Sequence, residues 1–318
     1  MRLLIVKTSS LGDVIHYLPA LSDIRRHLPH ARIDWCVEES FAAIPRLHPA
    51  VDSIIPVALR RWRKQLLQGR TWQELGALRQ RLQAARYDLV IDSQGLLKSA
   101  LLARLVPAPK AGYDAASIRE PLASRFYDRR YPVSRDLHAV VRNRLLTGAA
   151  LGYSPDTGPD YGIAAAAADF PWLPAGPYVV LLSATSRDDK LWPEAHWIEL
   201  GRDLQRQGLR AVLPGGNPRE RERAARLAAA IPDAVAVPPQ GIGELAALLA
   251  HAHAVVGVDT GLTHLAVALD TPTVALYTAT DPGLTGVYGR AYWRNLGGKD
   301  KIPAVNAVLG ALAEAGSD

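Results

Sequence analysis

The chain has 318 residues, 48% hydrophobic and 21% charged, with a single cysteine and a net charge of +6. This length suggests about two domains, and the composition excludes a disordered or fibrous protein. Cys36 alone excludes an internal disulfide, and no apolar run approaches the roughly 18 residues that span a bilayer.

Leu3–Lys7 opens as a buried strand, followed by the polar turn Thr8-Ser9-Ser10-Leu11-Gly12-Asp13. A helical apolar pattern covers Val14–His27, where Pro19 predicts a kink or a later start. Strands follow at Arg32–Val37, Ser53–Val57, Leu89–Asp92 and Ala111–Tyr113, with helices at Trp72–Ala85, Leu96–Leu105 and Ala139–Ala150. Turn residues crowd Gly152–Gly162 and the stretch before Pro177, which places a linker there. Beyond it, strands Tyr178–Leu182, Arg210–Leu213, Ala234–Val237, Ala254–Val258 and Thr273–Tyr277 alternate with helices Pro193–Gln207, Arg219–Ala230, Ile242–His251 and Thr263–Leu269. Pro303–Ala315 reads as a last helix. Strands separated by helices of this length imply α/β domains with doubly wound parallel sheets. Two such domains would face each other across a cleft. Ligands bind such sheets at the carboxyl ends of the strands, so chemistry belongs in the loops after strands.

Three such loops stand out. In the first, Asp13 begins a helix, where it serves either as a cap or as a catalytic base, and Lys7 is either structural or its ion-pair partner. The second, Ser183–Trp197, offers the hydroxyls of Thr185 and Ser186 and the ammonium of Lys190, which alone reads as an ordinary exposed lysine. In the third, Val255–Leu265, Asp259, Thr260 and Gly261 precede a helix whose free N–H groups suit a diphosphate. Asp259 would repel phosphate, so ribose binding or capping is its expected role. His264 reads equally as a core or a functional residue.

Residues 1–160 carry 24 Lys+Arg against 15 Asp+Glu, and the remainder 13 against 16, so a basic half (+9) precedes an acidic one (−3). The densest cluster is "RRWRK", Arg60–Lys64, with Arg119 further on. It fits a solvated face, a membrane-surface patch, or a set of guanidinium forks for carboxylate and phosphate. It lacks the aromatic interleaving of single-strand nucleic-acid binders, so no nucleic-acid partner is expected. There is no G-x-G-x-x-G after a strand, no P-loop, no zinc spacing and no G-x-S-x-G elbow. Leu3–Val6 is too short for a signal-peptide core, and with the lone cysteine this predicts a cytoplasmic protein.

The segments "VKTSSLGDVIHYLPAL", "IPVALRRWRK", "IDSQGLLKSAL", "REPLAS", "TSRDDKLWPEAHW", "VDTGLTHLAVAL" and "TDPGL" together resemble the ADP-heptose:lipopolysaccharide heptosyltransferases over nearly the whole chain. Within that family "RRWRK" points to the members that add the first heptose to the Kdo region. The resemblance implies a GT-B fold with two Rossmann-like domains. An acceptor domain would span 1–160 and an ADP-heptose domain 161–302, with a helix at 303–318 returning to the first. It implies Asp13 as general base. It implies Thr185, Ser186, Lys190, Glu220, Asp259, Thr260, Gly261 and His264 as donor-binding residues, Glu220 toward the ribose. On the acceptor side it implies Ser10, Gly12, Arg60, Arg61, Arg63, Lys64 and Arg119. The partners it implies are ADP-heptose, Kdo-lipid A and, peripherally, the anionic inner leaflet, with no cofactor and no required metal. A paralogue adding a later heptose, or a GT-B sugar-nucleotide epimerase, is the alternative. Two departures from the family pattern are Ser186, where a second threonine is expected, and Thr278-Ala279, where Gly-Pro is frequent.

Overall fold

The computed structural model describes residues 1–316. The chain divides after Gly162 into two units, each built on its own six-stranded sheet. The first sheet comprises β1 (Arg2–Val6), β2 (Arg32–Glu38), β3 (Ser53–Val57), β4 (Leu89–Asp92), β5 (Lys110–Tyr113) and β6 (Arg129–Tyr131). The second comprises β7 (Tyr178–Leu182), β8 (Arg210–Leu213), β9 (Val235–Ala236), β10 (Ala254–Val258), β11 (Thr273–Tyr277) and β12 (Trp293–Gly297). Their spatial orders, β3-β2-β1-β4-β5-β6 and β12-β11-β10-β7-β8-β9, are the same Rossmann winding used twice. Every pairing within the sheets is parallel.

The central strands are apolar without alternation because helices cover both faces. β4, β7, β10 and β11 are buried at every position. The edges are different. β6 and β12 are polar and half exposed, and their sequences carry no strand-like pattern that would announce them.

The opening helical pattern is two helices, Leu11–Ile15 and Leu18–His27. Pro19 falls in the first turn of the second, where its missing N–H leaves no bond unmade. That helix packs on Ala139–Leu151, where buried Arg144 grips buried Asp23 through two bonds of 2.7 and 2.9 Å. Removing either partner would strand a buried charge, at about 3–5 kcal/mol.

In the second unit, Trp192 and Trp197 meet edge to face at 4.9 Å beneath Leu200, Val256 and Leu276. The last helix, Val305–Ala315, joins this same core through Val305, Val308 and Ala311. This corrects the expectation that it returns to the first domain. Its apolar stripe fits β11, β12 and the helix Glu194–Arg206, and Trp192 Nε1 anchors its approach by donating to the Pro303 carbonyl at 2.9 Å. Residues 317 and 318 of that expected segment lie outside the described residues. Among the described residues, no helix is long and apolar enough to cross a membrane.

Candidate active site

In each sheet the winding reverses between the first strand and the fourth, and the loops leaving their carboxyl ends frame a ligand crevice. The three loops singled out in the sequence leave β1, β7 and β10. The loop after β4, Ser93–Gly95, completes the first pair; it lies within the family-like segment "IDSQGLLKSAL", but the sequence assigns it no role.

In the first unit, Asp13 sits at the third position of helix Leu11–Ile15 and is half buried. Its Oδ2 accepts the Ser10 backbone N–H at 2.7 Å and the Ser10 hydroxyl at 3.0 Å. Asp13 therefore is a capping residue, reaching back to the N-cap, and both donors on this oxygen are neutral. Lys7 is buried, and its Nζ donates to the Ser93 carbonyl at 2.9 Å. Burial lowers its pKa, while Asp13 and Asp92 pull it back up, so Lys7 joins Asp13 through field rather than through a direct bond.

The loop after β4 holds the loop after β1. Gln94 Oε1 accepts the N–H groups of Thr8 and Ser9 at 2.9 and 3.0 Å. Asp92 in turn accepts Gln94 N–H at 2.9 Å and the Tyr127 hydroxyl at 2.8 Å. Asp92 is fully buried, and burial pushes its carboxyl up to about 6 against these bonds. Gly112 is required here, because a Cβ would lie 2.3 Å from the Tyr127 ring.

In the second unit the hydroxyl and the ammonium of the β7 loop converge on Asp259 at the end of β10. Thr185 Oγ1 donates to the Asp259 carbonyl at 3.0 Å, and Lys190 Nζ to its Oδ2 at 2.7 Å. Thr280 Oγ1 reaches the same Oδ2 at 2.7 Å, and His264 Nε2 lies 3.9 Å from Oδ1. Burial alone would raise the Asp259 pKa; His264, Lys190 and Thr280 outweigh it and hold the carboxyl well below the usual range. Asp259 is thus an ion-pair partner rather than a helix cap, and the cap position belongs to Thr260. Gly261 opens the helix Gly261–Ala268 with backbone N–H groups at its start. Gly257 in β10 lets this helix approach, since a Cβ there would sit 2.3 Å from Thr263 Oγ1. Ser186 is exposed beside Thr185.

Glu220 closes a capping box on the helix Pro218–Ala230, with Oε2 accepting Gly216 N–H at 2.8 Å and Oε1 accepting Asn217 Nδ2 at 2.7 Å. Three residues here were missed by sequence reasoning. Thr280 lies in the "YTATDPGL" turn, and Gln94 just past β4. Arg223 is mostly buried and donates to the carbonyls of Ser183 and Trp192 and to Glu194 at 2.9–3.0 Å. A polar residue on the inner face of a helix was the one available signal for Arg223. Thr278 donates its hydroxyl to the Asp189 carbonyl at 2.8 Å, tying that turn to the β7 loop.

The basic cluster forms a short helix, Leu59–Lys64. Arg60, Arg63 and Lys64 are exposed, as is Arg119, whose charge lowers the Lys7 pKa. Arg61 differs: it bonds both oxygens of Glu39 at 3.1–3.2 Å and reaches Glu74 at 2.9 Å. Trp62 is buried and donates to Glu74 at 2.6 Å, so it packs rather than facing outward. Among the described residues, no group of three His, Cys, Asp or Glu side chains could hold a metal ion.

The glycosyltransferase family 9 (heptosyltransferase) profile matches residues 75–307. Lipopolysaccharide heptosyltransferase 1 of Pseudomonas aeruginosa is 53% identical over 92% of this chain and 82% of its own length. The Escherichia coli K12 protein of the same name is 50% identical over 91% and 92%. The solved structure of E. coli heptosyltransferase WaaC with ADP superposes with a TM-score of 0.90 at 47% identity, covering 99% of this chain and 100% of that one. E. coli ADP-heptose LPS heptosyltransferase II, at 20% identity and a TM-score of 0.77, shares the fold. The two Rossmann-like units are those of the GT-B fold, and the chain belongs to glycosyltransferase family 9, the heptosyltransferases.

Proposed function

We propose that this enzyme moves L-glycero-D-manno-heptose from ADP-heptose to a Kdo hydroxyl of Kdo-lipid A, inverting the anomeric carbon. The observation that carries this reading is the extent of the likeness to proteins named lipopolysaccharide heptosyltransferase 1, at 50–53% identity over more than nine-tenths of the chain. A related WaaC structure contains ADP-2-deoxy-2-fluoro heptose, which supports ADP-heptose as the donor.

In the reaction, the Kdo oxygen forms a bond to the anomeric carbon as the bond from that carbon to the diphosphate oxygen breaks. The electron pair leaves with ADP. Asp13 takes the hydroxyl proton as the new bond forms, and its negative charge favours the oxocarbenium-like transition state. Ser10 and Gly12 shape the loop that holds it. Lys190, Thr185, Ser186 and the N–H groups from Gly261 onward stabilise charge growing on the diphosphate. Asp259, itself held by Thr280 and His264, fixes the Lys190 ammonium, and Glu220 contacts the ribose. Arg60, Arg63, Lys64 and Arg119 receive the acidic groups of the acceptor, with Arg61 bracing their helix. The basic first half suits the cytoplasmic face of the inner membrane, where this acceptor is presented.

The test is ADP release with ADP-heptose and Kdo-lipid A, for wild type and Asp13→Asn. The proposal requires turnover by wild type, a loss of about 10²–10⁴ in kcat for the variant, and unchanged ADP affinity. Faster turnover on an acceptor already carrying one heptose would reassign the enzyme to a later step. ADP-heptose conversion without any acceptor would reassign it to an epimerase.

A further inference from the structure

Between the helices Leu59–Lys64 and Gly69–Ala84 the chain makes a tight connection that presents apolar side chains outward. Leu67 is fully exposed, Leu66 is 51% exposed and Trp72 62%. These three lie within seven residues, whereas large apolar groups scattered singly over a surface need no explanation.

The connection is built to hold them there. Thr71, itself buried, donates its hydroxyl to the Gln65 carbonyl at 2.8 Å, and Trp72 Nε1 donates to the Leu66 carbonyl at 2.9 Å. Backbone bonds from Gln68 to Gln65 and from Thr71 to Gln68 close the turn. The polar groups used here are satisfied within the turn, and the two leucines are exposed. The indole face of Trp72 stays exposed while its N–H is satisfied, the amphipathic state in which tryptophan occupies a membrane–water interface.

The surrounding charge names the partner. From Leu59 to Gln73 the sequence holds Arg60, Arg61, Arg63, Lys64 and Arg70 and no acidic residue. Arg60, Arg63 and Lys64 are exposed, whereas Arg61 and Arg70 are paired with Glu74, the residue after Gln73, at 2.9 Å. An apolar tip ringed by cations matches a bilayer bearing anionic headgroups, in which acyl chains take the tip and phosphates take the ring.

We infer that Leu66, Leu67 and Trp72 form a wedge that inserts into an anionic bilayer, with Arg60, Arg63 and Lys64 set at the headgroup level. This deepens the membrane part of the proposed function and rests on it. It adds a salt-insensitive apolar component to what charge alone would make fully salt-sensitive.

The experiment is co-sedimentation of the full chain with phosphatidylethanolamine vesicles containing phosphatidylglycerol, and with neutral phosphatidylcholine vesicles, without donor or acceptor. Leu67→Ser is expected to lower the partition coefficient on anionic vesicles by about tenfold, the scale of burying one leucine. Wild-type tryptophan emission should shift to the blue on those vesicles, and the shift should vanish in Trp72→Phe. Binding of Leu67→Ser within twofold of wild type overturns the wedge and leaves charge-driven docking standing. No preference of the wild type for anionic vesicles overturns both. Transfer onto a deacylated Kdo acceptor should proceed at the wild-type rate in Leu67→Ser; a loss there would overturn the wedge by placing Leu67 in acceptor binding. Absence of transfer by wild type would instead reject the transferase reading.

Discussion

Asp13 and Asp259 are the same residue type on the two sides of a Rossmann switch point, Asp13 in the loop after a first strand and Asp259 at the end of a fourth, yet their surroundings are opposite. Asp259 is clamped by Lys190 and Thr280 at 2.7 Å, with His264 nearby, and its carboxyl is held below the ordinary range. A carboxylate so committed is a poor proton acceptor. In the proposed reaction it keeps a cation in place for the diphosphate. Asp13 meets its backbone and hydroxyl donors from Ser10 alone on Oδ2, with no cation bonded to that oxygen. Winding topology selects where a functional acid goes. The charge of its neighbours selects what it does.

The largest effect should come from removing the available acid. Asp13→Asn keeps the capping geometry and lacks the base, so kcat should fall by about 10²–10⁴ while ADP affinity, measured by calorimetry, stays unchanged. Lys190→Met should lower kcat by about 10²–10³ and weaken ADP binding as well. Pairing it with Asp259→Asn sharpens the contrast. If Lys190 acts on the diphosphate, the double variant stays as slow as Lys190→Met. If Lys190 only neutralises Asp259, the double variant recovers.

How much of this contrast was legible in the sequence depends on the kind of signal. The buried strands were, because β-branched runs such as "YVVLL" and "AVVGV" have few other readings. The loops were, because hydroxyls, glycine and a terminal acid follow those runs directly. The edge strands β6 and β12 were not, since a half-solvated edge needs no apolar pattern. Nor was the division of labour among charges. "RRWRK" does not say that Arg61 turns inward to Glu39 and Glu74 while its neighbours turn out, because the acids come from residues 22 back and 13 ahead. Gln94 and Thr280 act only through loops brought together by the winding, so no local spacing marks them.

Stability against pH distinguishes Asp259 from a third strand-end acid, Asp92. The folded Asp92 carboxyl titrates at about 6, up from 3.8. Between those values the folded protein holds a proton that the unfolded chain has released, so stability declines as pH rises through the window. For Asp259 the shift is downward, so its contribution is present above the unfolded value of 3.8 and lost as pH falls below it. Urea unfolding at a series of pH values should show Asp92→Asn flattening the decline by about 3 kcal/mol, with Asp259→Asn removing the acid-side loss.

The smallest effects belong to the basic helix, where committed and available charges sit side by side. Arg61 is held by Glu39 and Glu74, and Glu74 is held down at about 2 by the Trp62 indole and Arg70 together with Arg61. Arg63 is exposed. Arg61→Ala should therefore lower the Tm, since it leaves Glu39 and Glu74 facing each other without their shared cation. Its effect on acceptor KM should follow only from loosening of the helix and be relieved by Arg61→Lys in part. Arg63→Ala should leave the Tm unchanged and raise acceptor KM by about three- to tenfold, the scale of one exposed charge-assisted contact, with the difference from wild type shrinking as salt is added. Equal effects of the two substitutions on Tm and on KM would mean that the ion pairs of Arg61 do not set its role apart.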